Sequence, residues 1–190
     1  MILKVASIQG GPNTTDKEKN TEALCRLLDE AALQHPDFVL MSELCNLPYF
    51  CSVEDESCFD WAEPIPGPTT EQFAQKAKQH GMHIIAPIFE KTPDVIYYNS
   101  AVVISDQGAI IEGTLSDGTK VPAYRKSHIP YSYDQHLNRL RTNEKYYFSP
   151  GPGIATFDTA KGRIGILICY DKRYFEAWRM LELMGAQIIF

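Results

Sequence analysis

Apolar residues recur along the chain in two patterns, short runs rich in β-branched residues and longer stretches with helical spacing. The short runs predict strands at residues 3–9, 38–43, 82–89, 99–105, 109–112, 155–158, 163–168 and 186–190. Helical spacing predicts helices over residues 16–34 and 176–184, and another that is capped by Thr69 or Thr70 and ends before Gly81. Strands that alternate with helices predict an α/β protein in which helices pack on sheet faces.

Two long stretches fall outside this pattern. Residues 44–68 form a loop rich in Pro, Cys and aromatic residues, and its length favours a functional role. Residues 116–153 are predicted to be largely irregular. The strand at 186–190 is followed by no turn or helix, so we expect a single domain over residues 1–190 whose C-terminal part is missing.

Composition narrows the class of protein. The 190 residues are 44% apolar and 22% charged, which is typical of a globular chain. The net charge is −6 with acids and bases interspersed, so there is no basic patch for nucleic acid or a membrane surface. The first residues predict a strand rather than a signal peptide, and no apolar run approaches membrane-spanning length. The five cysteines, at positions 25, 45, 51, 58 and 169, fit neither paired zinc ligands nor a disulfide scaffold. We expect a cytoplasmic protein with no metal site.

The apolar run at residues 163–168 ends at Cys169, and polar residues then lead into the last predicted helix. A cysteine on such a strand-to-helix turn lies near backbone N–H groups and the positive end of a helix, which favours the thiolate. The alternative is that Cys169 is a small buried hydrophobic residue, as most free cysteines are.

Two further reactive groups lie beside predicted strands. Glu43 ends the second strand, and Lys126 follows Tyr124-Arg125. In open α/β sheets, functional groups gather at the carboxyl ends of strands. A thiol nucleophile, a cation for an oxyanion and a carboxylate for proton transfer form a complete set for covalent hydrolysis. Taken singly, Glu43 is alternatively a loop cap and Lys126 a surface charge.

Four segments carry a family resemblance. They are Ser42-Glu43-Leu44, Tyr124-Arg-Lys126-Ser-His-Ile-Pro130, Glu144-Lys-Tyr-Tyr-Phe-Ser-Pro-Gly151 and Ile168-Cys169-Tyr-Asp-Lys-Arg-Tyr-Phe-Glu176. In this order they resemble the nitrilase superfamily of carbon–nitrogen hydrolases, and the resemblance runs from residue 3 to residue 190. It implies a four-layer αββα sandwich and a catalytic triad of Glu43, Lys126 and Cys169. It also implies that Glu144 holds the lysine, that the Tyr170 N–H is a second oxyanion donor, and that no cofactor is needed.

Some details are similar to one branch of this superfamily. The segment from Cys169 to Arg179 and the long loop between Pro130 and Glu144 resemble the N-carbamoyl-D-amino acid hydrolases, although that branch has Asn and Arg where Tyr170 and Lys172 stand. By this resemblance Lys172 and Arg173 bind a substrate carboxylate, and the alternative is a solvated helical turn. His128 matches a histidine of this branch and is the third expected substrate-binding residue, and it either tunes the site or only hydrogen-bonds a loop.

Another stretch, Asn46-Leu-Pro-Tyr-Phe-Cys51, is instead similar to N-carbamoylputrescine amidases and aliphatic amidases. The resemblance implies hydrolysis of a non-peptide C–N bond through a cysteine acyl-enzyme, with release of ammonia. An N-carbamoyl amino acid or amine is the expected small-molecule substrate, and an aliphatic amide or a nitrile is the alternative. The family also implies a homo-oligomer in the full-length form. A chain without its last part is alternatively an inactive fragment or one that a partner completes, because an open sheet edge is a liability.

Overall fold

The computed structural model describes residues 2–10 and 14–190 and contains two main β-sheets with helices on their outer faces. The helices are α1 (Lys17–Ala32), α2 (Pro68–His80), α3 (Glu144–Tyr147) and α4 (Phe175–Leu183). The strands are β1 (Val5–Ile8), β2 (Phe38–Met41), β3 (His83–Lys91), β4 (Tyr97–Ile104), β5 (Ile110–Ile111), β6 (Gly113–Leu115), β7 (Lys120–Val121), β8 (Tyr124–Arg125), β9 (Tyr131–Asp134), β10 (Arg139–Asn143), β11 (Ala155–Thr159), β12 (Gly162–Gly165) and β13 (Ile188–Ile189). Short 3₁₀-helices lie at Glu56–Trp61 and Cys169–Arg173.

The first sheet has the strand order β1-β2-β3-β4-β5, and β8 also pairs with β4. Strands β1, β2 and β3 run parallel, whereas β4 is antiparallel to β3, β5 and β8. Successive side chains of a strand point to opposite faces. In β3, Ile84, Ala86 and Ile88 therefore pack in the core under α1 and α2, while Ile85 packs in the core between the sheets.

The second sheet has the strand order β13-β12-β11-β6-β7. Its Phe157 and Ile164 pack with Phe38 of the first sheet in the core between the sheets. Helix α4 covers the other face, where Leu181 lies so close that a Cβ at Gly165 would be 2.7 Å from its Cδ2. The layers are thus helix, sheet, sheet and helix, and the predicted αββα sandwich is confirmed.

The start of α2 differs from its prediction. The helix begins at Pro68 and its N-cap is Gly67, so the prediction of Thr69 or Thr70 as the cap is wrong. Proline is favoured at the first helical position because it needs no N–H partner there. Thr70 Oγ1 instead accepts the Gly67 N–H at 2.9 Å. The predicted stop is confirmed, because Gly81 follows the helix with a φ of +64°.

Residues 116–153 hold more regular structure than predicted, since β7 to β10 and α3 all lie there. Strand β8 has only two residues, and its partner is the distant strand β4. Strands β9 and β10 form an antiparallel hairpin whose register shifts between Leu140 and Thr142. Such an irregularity breaks the alternation that makes a strand recognisable. By contrast, β12 is shorter than the predicted run at 163–168, because the chain leaves the sheet before Cys169.

Gly151 allows two backbone segments to approach closely beside Lys126. Its N–H donates to the Lys126 carbonyl at 2.8 Å. A Cβ at Gly151 would lie 2.1 Å from the carbonyl oxygen of Arg125, a backbone atom that has little room to move. The segment before β11 therefore fixes the position of the segment that carries Lys126.

We expect Gly151→Ala to lower the free energy of unfolding by about 1–3 kcal/mol, because the added methyl group overpacks a backbone contact. Urea denaturation followed by circular dichroism measures this change. Gly10→Ala is the control, since a Cβ there meets no described atom within 4 Å. Equal losses in the two variants would contradict the prediction.

Candidate active site

Lys126 is the buried cation of the site. It follows β8, and its side chain is completely enclosed. Its Nζ donates to Glu43 Oε1 at 2.7 Å, and to Glu144 Oε1 at 2.8 Å and Oε2 at 2.7 Å. Burial acts to lower the pKa of Lys126, but the charges of Glu43 and Glu144 outweigh it and raise that pKa above its ordinary value. The ammonium therefore stays protonated at neutral pH.

Two separate segments supply the carboxylates. Glu43 follows the carboxyl end of β2 and keeps 19% of its side chain exposed. Glu144 begins α3 and is 1% exposed. Tyr49, from the long loop after β2, donates its hydroxyl to Glu144 Oε1 at 3.0 Å. Both oxygens of Glu144 thus accept hydrogen bonds, whereas part of the Glu43 side chain remains exposed.

Cys169 lies at a sharp backbone turn between β12 and α4. It begins the 3₁₀-helix Cys169–Arg173 and has a φ of +47°, which is uncommon for a residue other than glycine. The residue reaches the protein surface and is only partly covered, whereas the preceding Ile168 is buried. The turn thus presents the thiol at the surface of a cavity.

The expectation that this turn favours the thiolate is wrong. Burial raises the pKa of the Cys169 thiol, the charge of Glu43 raises it further, and Lys126 only partly opposes them. The cluster holds two carboxylates and one ammonium, so its net negative charge disfavours a third anion at Cys169. In addition, α4 begins only at Phe175, so Cys169 does not lie in the first turn of that helix. The resting thiol is therefore protonated at neutral pH.

Two cavities meet at Glu43. One of about 110 Å³ lies between the sheets and is bordered by Glu43, Cys169 and mostly apolar residues. The other, of about 420 Å³, is more open and is lined by residues that include Ser42, Glu43 and Tyr49. The exposed side of Glu43 therefore faces space that a small molecule can reach.

Asp171 connects the Cys169 turn to the segments before and after Lys126. This role was not predicted from the sequence. The Asp171 carboxylate is completely buried and accepts the Ile168 N–H at 3.1 Å and the Tyr124 hydroxyl at 2.8 Å. Its other oxygen accepts the His128 N–H at 2.9 Å and lies 2.7 Å from His128 Nδ1. Four hydrogen bonds satisfy a charge that would otherwise be costly to bury.

His128 hydrogen-bonds the neighbouring turn through Asp171, and its expected part in tuning the site or binding substrate stays a prediction. Its ring also stacks on Tyr174, with ring centroids 3.7 Å apart. Tyr170 is the second residue of the 3₁₀-helix, where the first N–H groups have no partner within the helix. The predicted use of its N–H stays a prediction.

Lys172 and Arg173 are exposed, and neither borders the cavities next to Glu43. The Lys172 carbonyl accepts the indole N–H of Trp178 at 3.0 Å, and the Arg173 guanidinium lies 5.4 Å from the centre of the Tyr170 ring. The structure thus places this pair on the same turn as Cys169 but not in contact with the ion cluster.

Asn99 is a second residue that the sequence did not reveal. It lies in β4 and is completely buried, and its Nδ2 donates to Glu43 Oε1 at 2.8 Å. Its carbonyl accepts the Lys126 N–H at 2.9 Å. In the sequence, Asn99 stands beside Ser100 in the first half of a strand that is otherwise mostly apolar. That pattern does not by itself indicate a partner 56 residues away.

Within the part of the chain that the structure describes, no three His, Cys, Asp or Glu side chains are arranged to hold a metal ion. No helix there is both long enough and apolar enough to cross a membrane.

Comparison with known proteins shows the family. The family model for carbon–nitrogen hydrolases matches residues 4–190. The N-carbamoylputrescine amidase of Solanum lycopersicum is 35% identical over 191 residues, which cover 100% of this chain and 57% of that protein. The nitrilase of Pyrococcus abyssi (strain GE5 / Orsay) is 33% identical over 190 residues, covering 99% of this chain and 63% of that one. The crystal structure of a carbon–nitrogen hydrolase from Helicobacter pylori G27 matches with a TM-score of 0.83 at 30% identity, covering 98% of this chain and 58% of that one.

The chain therefore belongs to the carbon–nitrogen hydrolase family of the nitrilase superfamily. It spans less than two thirds of the length of these relatives.

We expect Glu43→Gln to make Cys169 more reactive toward iodoacetamide at pH 7, because the substitution removes a negative charge that raises the thiol pKa. Each unit by which that pKa falls gives about ten times more thiolate. Since a less basic thiolate is also less nucleophilic, the net gain is about threefold per unit. Peptide mass spectrometry of the alkylated protein across a pH series measures the rate at Cys169 alone.

Glu182→Gln is the matched control, since Glu182 is an exposed acid that pairs with Arg179 on α4. A slower reaction at Cys169 in Glu43→Gln than in this control would show that Glu43 promotes the resting thiolate, against the charge argument.

Proposed function

We propose that this protein hydrolyses the C–N bond of a small linear amide or N-carbamoyl compound through a cysteine acyl-enzyme and releases ammonia. The observation that carries the proposal is the enclosed Lys126 ammonium, which bridges Glu43 and Glu144 beside Cys169. This arrangement supplies a nucleophile, a proton acceptor and a fixed positive charge in one place.

The proposed reaction begins with a proton transfer. Because the Cys169 thiol is protonated at rest, Glu43 takes its proton as the sulfur attacks the carbonyl carbon. The carbonyl oxygen becomes an oxyanion, which Lys126 and the Tyr170 N–H stabilise. When the tetrahedral intermediate collapses, the C–N bond breaks and Glu43 returns the proton to the departing ammonia.

Water then releases the acyl group. Glu43 takes a proton from the water as its oxygen attacks the thioester carbon, and the thiolate leaves and recovers that proton. An N-carbamoyl substrate yields a carbamic acid, which decomposes to carbon dioxide and the free amine. Glu144 does not exchange protons in this scheme, because both of its oxygens already accept hydrogen bonds.

An N-carbamoyl amine or amino acid is the substrate class that we favour. The support is the similarity of the whole chain to an N-carbamoylputrescine amidase and the basic pair after Cys169. A nitrile is the second candidate, because a relative of comparable identity is named nitrilase. The same three side chains suit both reactions, so ammonia release from matched nitriles, amides and ureido compounds distinguishes them.

We expect Cys169→Ala to reduce ammonia release from the best substrate by at least about a thousandfold, because loss of the nucleophile removes the covalent route. The assay screens N-carbamoyl-D- and L-amino acids, N-carbamoylputrescine and simple amides, on this chain and on any longer form of the protein. Cys25→Ala is the control, since Cys25 lies in α1 against Gln72. Turnover that survives in Cys169→Ala would refute the mechanism.

We expect the double variant Lys172→Ala/Arg173→Ala to raise KM for N-carbamoyl amino acids by about tenfold, because it removes charge-assisted hydrogen bonds to the substrate carboxylate. N-carbamoylputrescine has no carboxylate, so its KM stays unchanged. Steady-state kinetics with both substrates measures the difference. Arg179→Ala serves as the control for removal of an exposed positive charge. An equal rise in KM for both substrates would show that Lys172 and Arg173 do not bind the substrate carboxylate.

A further inference from the structure

The two hydrogen bonds to Glu43 fall on the same oxygen. Lys126 Nζ donates to Oε1 at 2.7 Å, and Asn99 Nδ2 donates to the same Oε1 at 2.8 Å. Among the residues that the structure describes, no hydrogen bond reaches Oε2. The side chain is also 19% exposed, so its unoccupied oxygen is not sealed in the core.

The orientation of the Asn99 amide is determined by its partner. Its Nδ2 faces a carboxylate oxygen, and its Oδ1 is buried with no hydrogen-bond partner among the described residues. A flipped amide would bring two acceptors together, so only the observed orientation gives Glu43 a donor. The Asn99 carbonyl also accepts the Lys126 N–H, which ties both donors of Oε1 to β4.

A similar asparagine elsewhere in the fold shows what is particular about this contact. Asn46 is also buried, its Nδ2 donates to Glu63 Oε1 at 3.3 Å, and its Oδ1 likewise has no partner in the described part of the chain. The second oxygen of Glu63, however, accepts the Thr69 N–H at 2.9 Å. Glu63 is therefore fully occupied and 3% exposed, as suits a structural carboxylate, whereas Glu43 keeps one oxygen free.

We propose that Asn99 is a positioning residue that, with Lys126, holds Oε1 of Glu43 and leaves Oε2 as the oxygen that exchanges protons with Cys169, ammonia and water. This inference rests on the proposed function. Two donors on one oxygen restrict rotation of the carboxylate, so Oε2 keeps one orientation through both half-reactions. The Nδ2 group of Asn99 can only donate, so it pairs with an oxygen that acts as an acceptor.

The test compares Asn99→Ala and Asn99→Asp with Asn46→Ala, a matched loss of a buried asparagine that donates to Glu63 rather than to Glu43. In Asn99→Ala, we expect kcat to fall about 10- to 100-fold, the effect of losing one hydrogen bond to a charged group, with KM changed less than about threefold. The acidic limb of the pH–rate profile moves to higher pH by about one unit. In Asn99→Asp the limb moves further, because a second carboxylate disfavours ionisation of the first.

A second measurement needs no substrate. The ¹³Cδ resonance of Glu43, assigned with Glu43→Gln, is followed against pH in protein labelled at glutamate. Its midpoint is expected to rise in the order wild type, Asn99→Ala, Asn99→Asp, and to stay in place in Asn46→Ala. If the wild type hydrolyses none of the screened compounds, the proposed function fails, but this titration still tests Asn99.

Three results would overturn the inference. One is an unchanged acidic limb and an unchanged ¹³Cδ midpoint in both Asn99 variants. Another is an equal loss of kcat in Asn46→Ala at equal folded fraction. The third is loss of folding in both Asn99 variants but not in Asn46→Ala, since Asn99 would then serve the sheet rather than Glu43.

Discussion

The site depends on one buried ammonium. An unpaired ammonium in a protein interior costs several kcal/mol, so Lys126 is stable there only with Glu43 and Glu144 in contact. Glu43 lies 83 residues from the lysine and Glu144 lies 18 residues from it. Pairing of β8 with β4 and the close approach of Gly151 hold the lysine segment in place. The fold must therefore bring the lysine and both carboxylates together, and the short, irregular segments after β7 place Lys126 and Glu144 in position.

The same cluster determines the state of the thiol. Two carboxylates outnumber one ammonium, and the partly buried Cys169 lies next to them, so its proton is held at neutral pH. A cysteine enzyme with a preformed thiolate relies on nearby positive charge. Here the positive charge of Lys126 is already engaged with both carboxylates. In the proposed mechanism, nucleophilic attack therefore has to be coupled to proton transfer, which makes the position of a single carboxylate oxygen of Glu43 important.

Apolar periodicity in the sequence predicted an α/β protein, and the resemblance to carbon–nitrogen hydrolases implied the sandwich and the placing of Glu43, Lys126 and Glu144 near Cys169. The sequence did not reveal the roles of Asn99 and Asp171, since the side chains that they bind lie more than 40 residues away in the sequence. The predicted direction of the Cys169 pKa shift was wrong for a related reason. Local turn geometry suggested positive potential, whereas the charges that dominate come from distant segments.

Buried and exposed parts of the site constrain the chemistry differently. Around Lys126 and Glu144, each substitution leaves a polar or charged group without its partner, so few alternative residues are compatible with the fold. Lys172 and Arg173 lie on an exposed turn, where water satisfies almost any polar side chain. Under the proposed function, the enclosed ion cluster therefore constrains the type of reaction more tightly than the exposed turn constrains the choice of substrate.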